Sequence, residues 1–236
     1  MIGDLDLTML RQMSNRAHID ALLRDQDASG GLANILEPGN KQPSKYPVQI
    51  SSTEAAGILA GACALDETEY NALMYYLHNT GRPYRASTDF PHPANANILP
   101  PQAQRPPQIN HEEHTFSCQQ SHRGNSAIQF YNPLTQSHDT GFIQAIWVLP
   151  LESSKHEFLV ICPHKKLSIA EQSLAPFQHY PGFMTQIVDA TPSESLVIIE
   201  PIHIVTHLTT FLRPKGTYGI DKETLIICQA LNRGRH

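Results

Sequence analysis

The chain has 236 residues, enough for one large domain or two small ones with a buried core. It carries 17 Lys and Arg against 22 Asp and Glu, a formal charge of −5, which argues against nucleic-acid binding through a dominant basic field. Charged residues are 17% and apolar ones 40%, which excludes a highly charged disordered chain.

No apolar run approaches the ~20 residues that span a bilayer. The N-terminal stretch MIGDLDLTMLRQMSNR places acids before its first base and does not read as a signal peptide. An intracellular protein, nuclear or cytoplasmic and without a membrane partner, is the expectation. Cys63, Cys118, Cys162 and Cys228 are widely spaced with no C-x-x-C pair, so they are expected to be reduced and mostly buried.

Three zones differ in texture: a helical, partly disordered region over 1–80, a Pro-rich connector over 81–114, and a β domain over 115–236. In the first, Leu7, Leu10, Ile19, Leu22 and Leu23 have the spacing of one helical face, and DASGGLANILEPGNKQPSKYP reads as loop. A second helix starts at Asp66, with Glu69 three residues on completing a capping box. Its stripe is Tyr70, Leu73, Met74 and Leu77; Gly81 fits a left-handed cap and Pro83 stops it.

The connector holds Pro83, Pro91, Pro93, Pro100, Pro101, Pro106 and Pro107, which predicts an extended, weakly packed strap. The last zone reads as successive strands at Thr115–Cys118, Ser126–Tyr131, Phe142–Leu149, Phe158–Cys162, Leu196–Glu200, His203–Phe211 and Thr224–Gln229. Turn signals divide them, among them Asn132-Pro133, Pro150, Pro163, Pro181-Gly182 and Pro192-Ser193. Ser168 caps one or two helical turns that Pro176 ends. The fold class is therefore α+β, with a small antiparallel barrel preceded by a few helices.

Histidine is conspicuous, with 13 copies. His203 and His207 lie four apart; on a strand they share a face but stand ~13 Å apart, too far to hold one ion. On a helix they would share zinc, but the β-branched surroundings favour a strand. They are fallback metal candidates only. His111 and His114 in HEEH do not match the H-E-x-x-H signature, and Cys162 with His164 lacks a partner pair. His18 with Asp20, and His111 with Glu113, have facial-triad spacing but lie outside the β zone. No G-x-S-x-G, Walker-type loop or G-x-G-x-x-G is present. No catalytic residue and no cofactor is assigned, and an enzyme is the minority reading. The RGR tail at Arg233–Arg235 and the pair Lys165 and Lys166 read as solvated charge.

Several ordered blocks carry a resemblance: HRGNSAIQFYNP, TGFIQAIWVLPLE, PFQHYPGFMTQIVDATPSE, IIEPIHIVTHLTTF and PKGTYGIDKETLIICQALNRGR, with LDETEYNALMYYLHNTGRPYRAS and FPHPANANILPP upstream. Over about residues 60–235 the chain resembles the C-terminal region of large proteins encoded in many copies in mushroom-forming fungal genomes, alongside Plavaka-like DNA transposons. Those proteins have no established chemistry to carry over, and they are several times longer. The resemblance implies a captured C-terminal portion. A second, architectural resemblance is to bromo-adjacent homology (BAH) barrels of chromatin proteins, carried by Gly141-Phe142-Ile143-Gln144-Ala145-Ile146, Phe158–Cys162 and Glu200-Pro201-Ile202-His203-Ile204-Val205. It implies a non-catalytic module for a chromatin peptide or nucleic acid, with Tyr131, Trp147 and Tyr180 as an aromatic pocket. The alternative that Trp147 is simply core stays open. Rival readings are an accessory protein or metal-dependent enzyme of a fungal secondary-metabolite cluster, and a gene remnant without activity.

Overall fold

The computed structural model describes residues 47–179 and 184–229. The expected stripe from Leu7 to Leu23, His18 and Asp20, Tyr180, the Pro181-Gly182 turn and the Arg233–Arg235 tail lie outside them. Over the described residues the protein is α+β and mostly β, with one large antiparallel sheet, two small ones and few helices.

A short strand β1 (Val48–Gln49) leads into helix α1 (Ser52–Ala60), which Ser51 and Glu54 close with a capping box. Strand β2 (Cys63–Ala64) precedes α2 (Glu67–Asn79). In α2 the Asp66 carboxylate accepts from the Glu69 N–H at 2.8 Å, and Glu69 accepts from the Asp66 N–H at 3.0 Å. Gly81, at φ +80°, ends the helix. The Arg82 N–H reaches the Leu77 carbonyl at 2.9 Å and the Gly81 N–H the His78 carbonyl at 3.1 Å, so two of the last orphan carbonyls are satisfied. Leu73, Tyr76 and Leu77 are fully buried, each worth roughly 1.5–3 kcal/mol.

The Pro-rich connector is extended but not weakly packed. Tyr84, Leu99 and Ala103 are buried in the cluster that holds α2, and the strap contributes β3 (Gln102–Ala103) and β4 (Gln108–His111). Proline removes backbone donors without preventing side chains from packing. HEEH is the tip of a hairpin between β4 and β5 (His114–Ser117). Glu112 and Glu113 have φ of +47° and +66°, as a type I′ turn requires.

The remaining strands are β6 (Ala127–Asn132), β7 (Ser137–Leu151), β8 (Ser154–Lys166), β9 (Thr185–Pro192), β10 (Val197–Ile199), β11 (Ile204–Arg213) and β12 (Thr224–Gln229). Helix α3 (Ile169–Ser173), capped by Ser168 and Glu171, follows β8. Antiparallel pairing runs β6–β7–β8–β9–β12–β11 and returns to β6, so the sheet closes on itself. Strands β1 and β10 join the remaining edge of β8.

Pro150 and Pro163 do not separate strands; they lie inside β7 and β8. Val148 exchanges both backbone bonds with Gln104, at 2.9 and 3.0 Å, on one edge of β7. Pro150 follows two residues later on that edge, beyond the bridge, so its missing donor costs no bond. Ile143 directs its N–H and carbonyl away from β8, to Ser126 and Gln119. Its pairing with Ile161, and that of Gly141 with Pro163 two residues on, are therefore non-hydrogen-bonded pairs, where proline breaks nothing. Strands approach closely at such pairs. A Cβ on Gly141 would stand 2.5 Å from the Cys162 carbonyl, so glycine is required there.

The cysteines are free, but only Cys162 is buried; Cys63 is exposed on the two-residue β2. One face of β7 and β8 offers Trp147, Leu149, Phe158 and Val160 to α2 and the strap. The other offers Ile143, Ile146, Leu159 and Ile161 to β6, β10 and the β4–β5 hairpin. A third cluster of Ala127, Phe142, Val188, Leu208, Leu225 and Ile227 joins β6, β7, β9, β11 and β12.

Candidate functional site

A small cleft of about 60 Å³ opens where β7, β8 and β9 meet the loop before β6. Phe142, Leu225 and Cys162, all buried, give it an apolar floor. Its polar lining is Gln119, Arg123, Gln144, His164, Asp189 and Thr191. The volume holds a few waters or one small functional group, far below the ~300–1,000 Å³ of a drug-sized site.

Local geometry sets each lining group. The register of β7 against β8 shifts between Ile143 and Ala145, so Gln144 is the extra residue of a bulge, and bulges re-aim side chains. Its amide donates to Gln119 Oε1 at 2.7 Å. The Gln119 N–H holds the Ile143 carbonyl at 2.7 Å, and the Ser126 hydroxyl donates to the Arg123 carbonyl at 2.8 Å, which pins the loop. The Arg123 guanidinium lies 5.7 Å above the Phe142 ring.

His164 is half-buried against Phe142, ring centroids 4.8 Å apart, and its Nδ1 pairs with the Thr140 hydroxyl at 3.0 Å. Burial pushes its pKa down to about 4, so it is neutral at pH 7. Among the described residues its Nε2 has no hydrogen-bond partner. Burial works to raise Asp189, but Thr191 and Lys222 outweigh it and hold the carboxyl below its ordinary range. The Thr191 N–H donates to it at 2.9 Å and Lys222 Nζ stands at 3.6 Å. The Cys162 thiol donates to the Ser193 carbonyl at 3.4 Å. A thiol, an imidazole and a carboxylate thus line one cleft, each turned to a different partner.

The residues singled out from sequence lie elsewhere. Trp147 is 1% exposed in the cluster under α2, with the Arg105 guanidinium 6.0 Å from its ring, and Arg105 is itself paired with Glu69. Tyr131 is half-buried beside the rings of His138 and His203, at 5.6 and 6.4 Å. His203 lies in a short 3-10 turn just before β11, one residue ahead of the strand expected to include it. Its Nδ1 accepts the Glu200 N–H at 3.3 Å. His207 stacks on Phe116 at 4.2 Å, with His114 edge-on at 6.0 Å, so the two histidines have different neighbours. Among the described residues no group of three or more His, Cys, Asp or Glu is placed to hold a metal ion.

Near His203, Glu200 accepts from Arg82 at 2.8 Å and lies 3.4 Å from His156 Nδ1. Burial opposes its ionisation, but His156 and Arg82 prevail and lower its pKa. Arg82 also covers the rings of Tyr76 and Phe158, at 5.7 and 5.9 Å. This cluster ties the segment after α2 to the strands.

Sequence reasoning passed over Gln119, Arg123, Gln144 and Asp189 because they come from three separate segments, the loop before β6, β7 and β9. The structure places Gly141 inside β7, one residue ahead of the expected strand start, and an interior glycine marks a bulge or close approach. Comparison with protein-family models, curated proteins and solved structures finds no match to this chain.

Proposed function

We propose that this protein is a non-catalytic interaction module derived from a transposon-associated fungal protein and built on a BAH-like barrel, acting inside the cell on a chromatin-associated peptide. The observation that carries this reading is the cleft: it is small, floored by Phe142 and Leu225, and its thiol and the Nδ1 of its imidazole are each bonded to a neighbouring protein group. Cys162 donates to a backbone carbonyl and His164 pairs with Thr140, so the arrangement suits recognition better than covalent chemistry. A peptide suits the net charge of −5 better than DNA does.

Titration calorimetry of the intact chain against nucleosomes, histone-tail peptides and duplex DNA tests the reading. Micromolar binding to nucleosomes or a peptide is expected. Absence of binding to all three at high micromolar concentration overturns it. Zinc or iron retained stoichiometrically after dialysis would favour the metal-dependent enzyme instead.

A further inference from the structure

We propose that the cleft is a carboxylate-binding site that seats one acidic side chain of a partner peptide against Arg123 and Gln119. This rests on the reading of the chain as a peptide-binding module and names the chemistry that module selects.

Charge bookkeeping around the cleft points there. Most described cations are matched: Arg82 with Glu200, Arg105 with Glu69, Lys155 with Glu157, Lys166 with Asp139 and Lys222 with Glu171. Among the described residues, Arg85, Arg123 and Lys165 are in no ion pair, and Lys165 is close enough to Asp189 to help hold that carboxyl ionised. Arg123 lines the cleft, and Lys165 follows His164 and faces Asp189 in the β8–β9 register. The one carboxylate in the lining, Asp189, is already compensated by Lys222 and the Thr191 N–H. An incoming anion therefore meets an uncompensated guanidinium.

Geometry narrows the anion to a carboxylate. Arg123 offers a planar fork that matches two oxygens side by side. Gln119 comes from the same pinned loop, and its amide NH2 has no described partner, which adds a second donor. Phe142 and Leu225 provide a floor for the methylenes of a Glu. A phosphate dianion would want more donors than one guanidinium and one amide, and its second charge would be repelled by Asp189. The loop is held by bonds to Ile143 and from Ser126 before any ligand arrives, so little ordering cost falls on binding.

The test uses fluorescence anisotropy of the intact chain with three labelled peptides of one sequence, carrying Glu, Gln or phosphoserine at a central position. The Glu peptide is expected to bind at least tenfold more tightly than the Gln peptide. Arg123→Ala, at an exposed side chain, is expected to abolish that preference, and Arg123→Lys to restore part of it. Equal binding of the Glu and Gln peptides, tightest binding of the phosphoserine peptide, or indifference to Arg123→Ala overturns the carboxylate site. If histone-tail peptides or nucleosomes still bind in those cases, the interaction-module reading survives without it. If nothing binds, both fall.

Discussion

The two ends of the β7–β8 hairpin are built from the same strands and finished in opposite ways. At the turn end, Trp147, Leu149 and Phe158 are roofed by α2 and the proline strap, and Arg105 and Arg82, each over aromatic rings, hold carboxylate partners. At the other end, Phe142 and Cys162 lie under a polar mouth, and among the described residues the cation above Phe142 has no carboxylate partner. The contrast teaches that an arginine on an aromatic face is a closed structural element when an acid completes it, and an open binding element when none does.

Three measurements would break or sharpen that contrast. Trp147→Ala at the roofed end is expected to cost about 3–5 kcal/mol, read as a fall in the urea midpoint, because the roof cannot collapse into the cavity. A loss under 1 kcal/mol would mean that this end is not sealed. At the open end the expected effect is pH-dependent. His164 titrates near 4 when folded, below its ordinary 6.5, so the unfolded chain binds the proton first. Stability is then complete above pH 6.5 and falls as pH drops toward 4, by about 3 kcal/mol in all. Urea midpoints across that range should drop in the native chain and drop less in His164→Gln. The smallest effect concerns neither end directly: Asp66→Ala removes one half of the α2 capping box and is expected to cost about 1 kcal/mol. Because α2 is part of the roof, this loss should leave the Glu-peptide affinity at the open end unchanged.

Legibility in the sequence followed the range of the interaction. Helix α2 was readable because Asp66, Glu69, Gly81 and Pro83 act within a few residues of where they stand. Strand β12 matched its expected span from Thr224 to Gln229 for the same reason, as an apolar β-branched run. Strand β9 was missed, since Ile187 and Val188 are consecutive and buried on opposite sides, in different clusters, which blurs alternation. Pro150 and Pro163 misled because their cost depends on which edge of a strand faces a neighbour, and that is a property of the assembled sheet. The cleft was invisible for a related reason. Gln119, Gln144, His164 and Asp189 meet only through β7–β8 and β8–β9 pairing, which no linear spacing encodes.

The closure of the sheet has a last consequence. Strand β9 joins β8 through three register pairs, His164 with Pro192, Lys165 with Asp189 and Lys166 with Val188, and a shift interrupts even these. Elsewhere β8 is stitched to β7 through ten. The seam is thus thin, as short as the three interrupted pairs that join β11 to β6, and two of its three pairs border the cleft mouth. Transient breathing there would loosen the pocket's rim while the long hairpin behind it stays zipped, so entry of a guest side chain needs no wider unfolding.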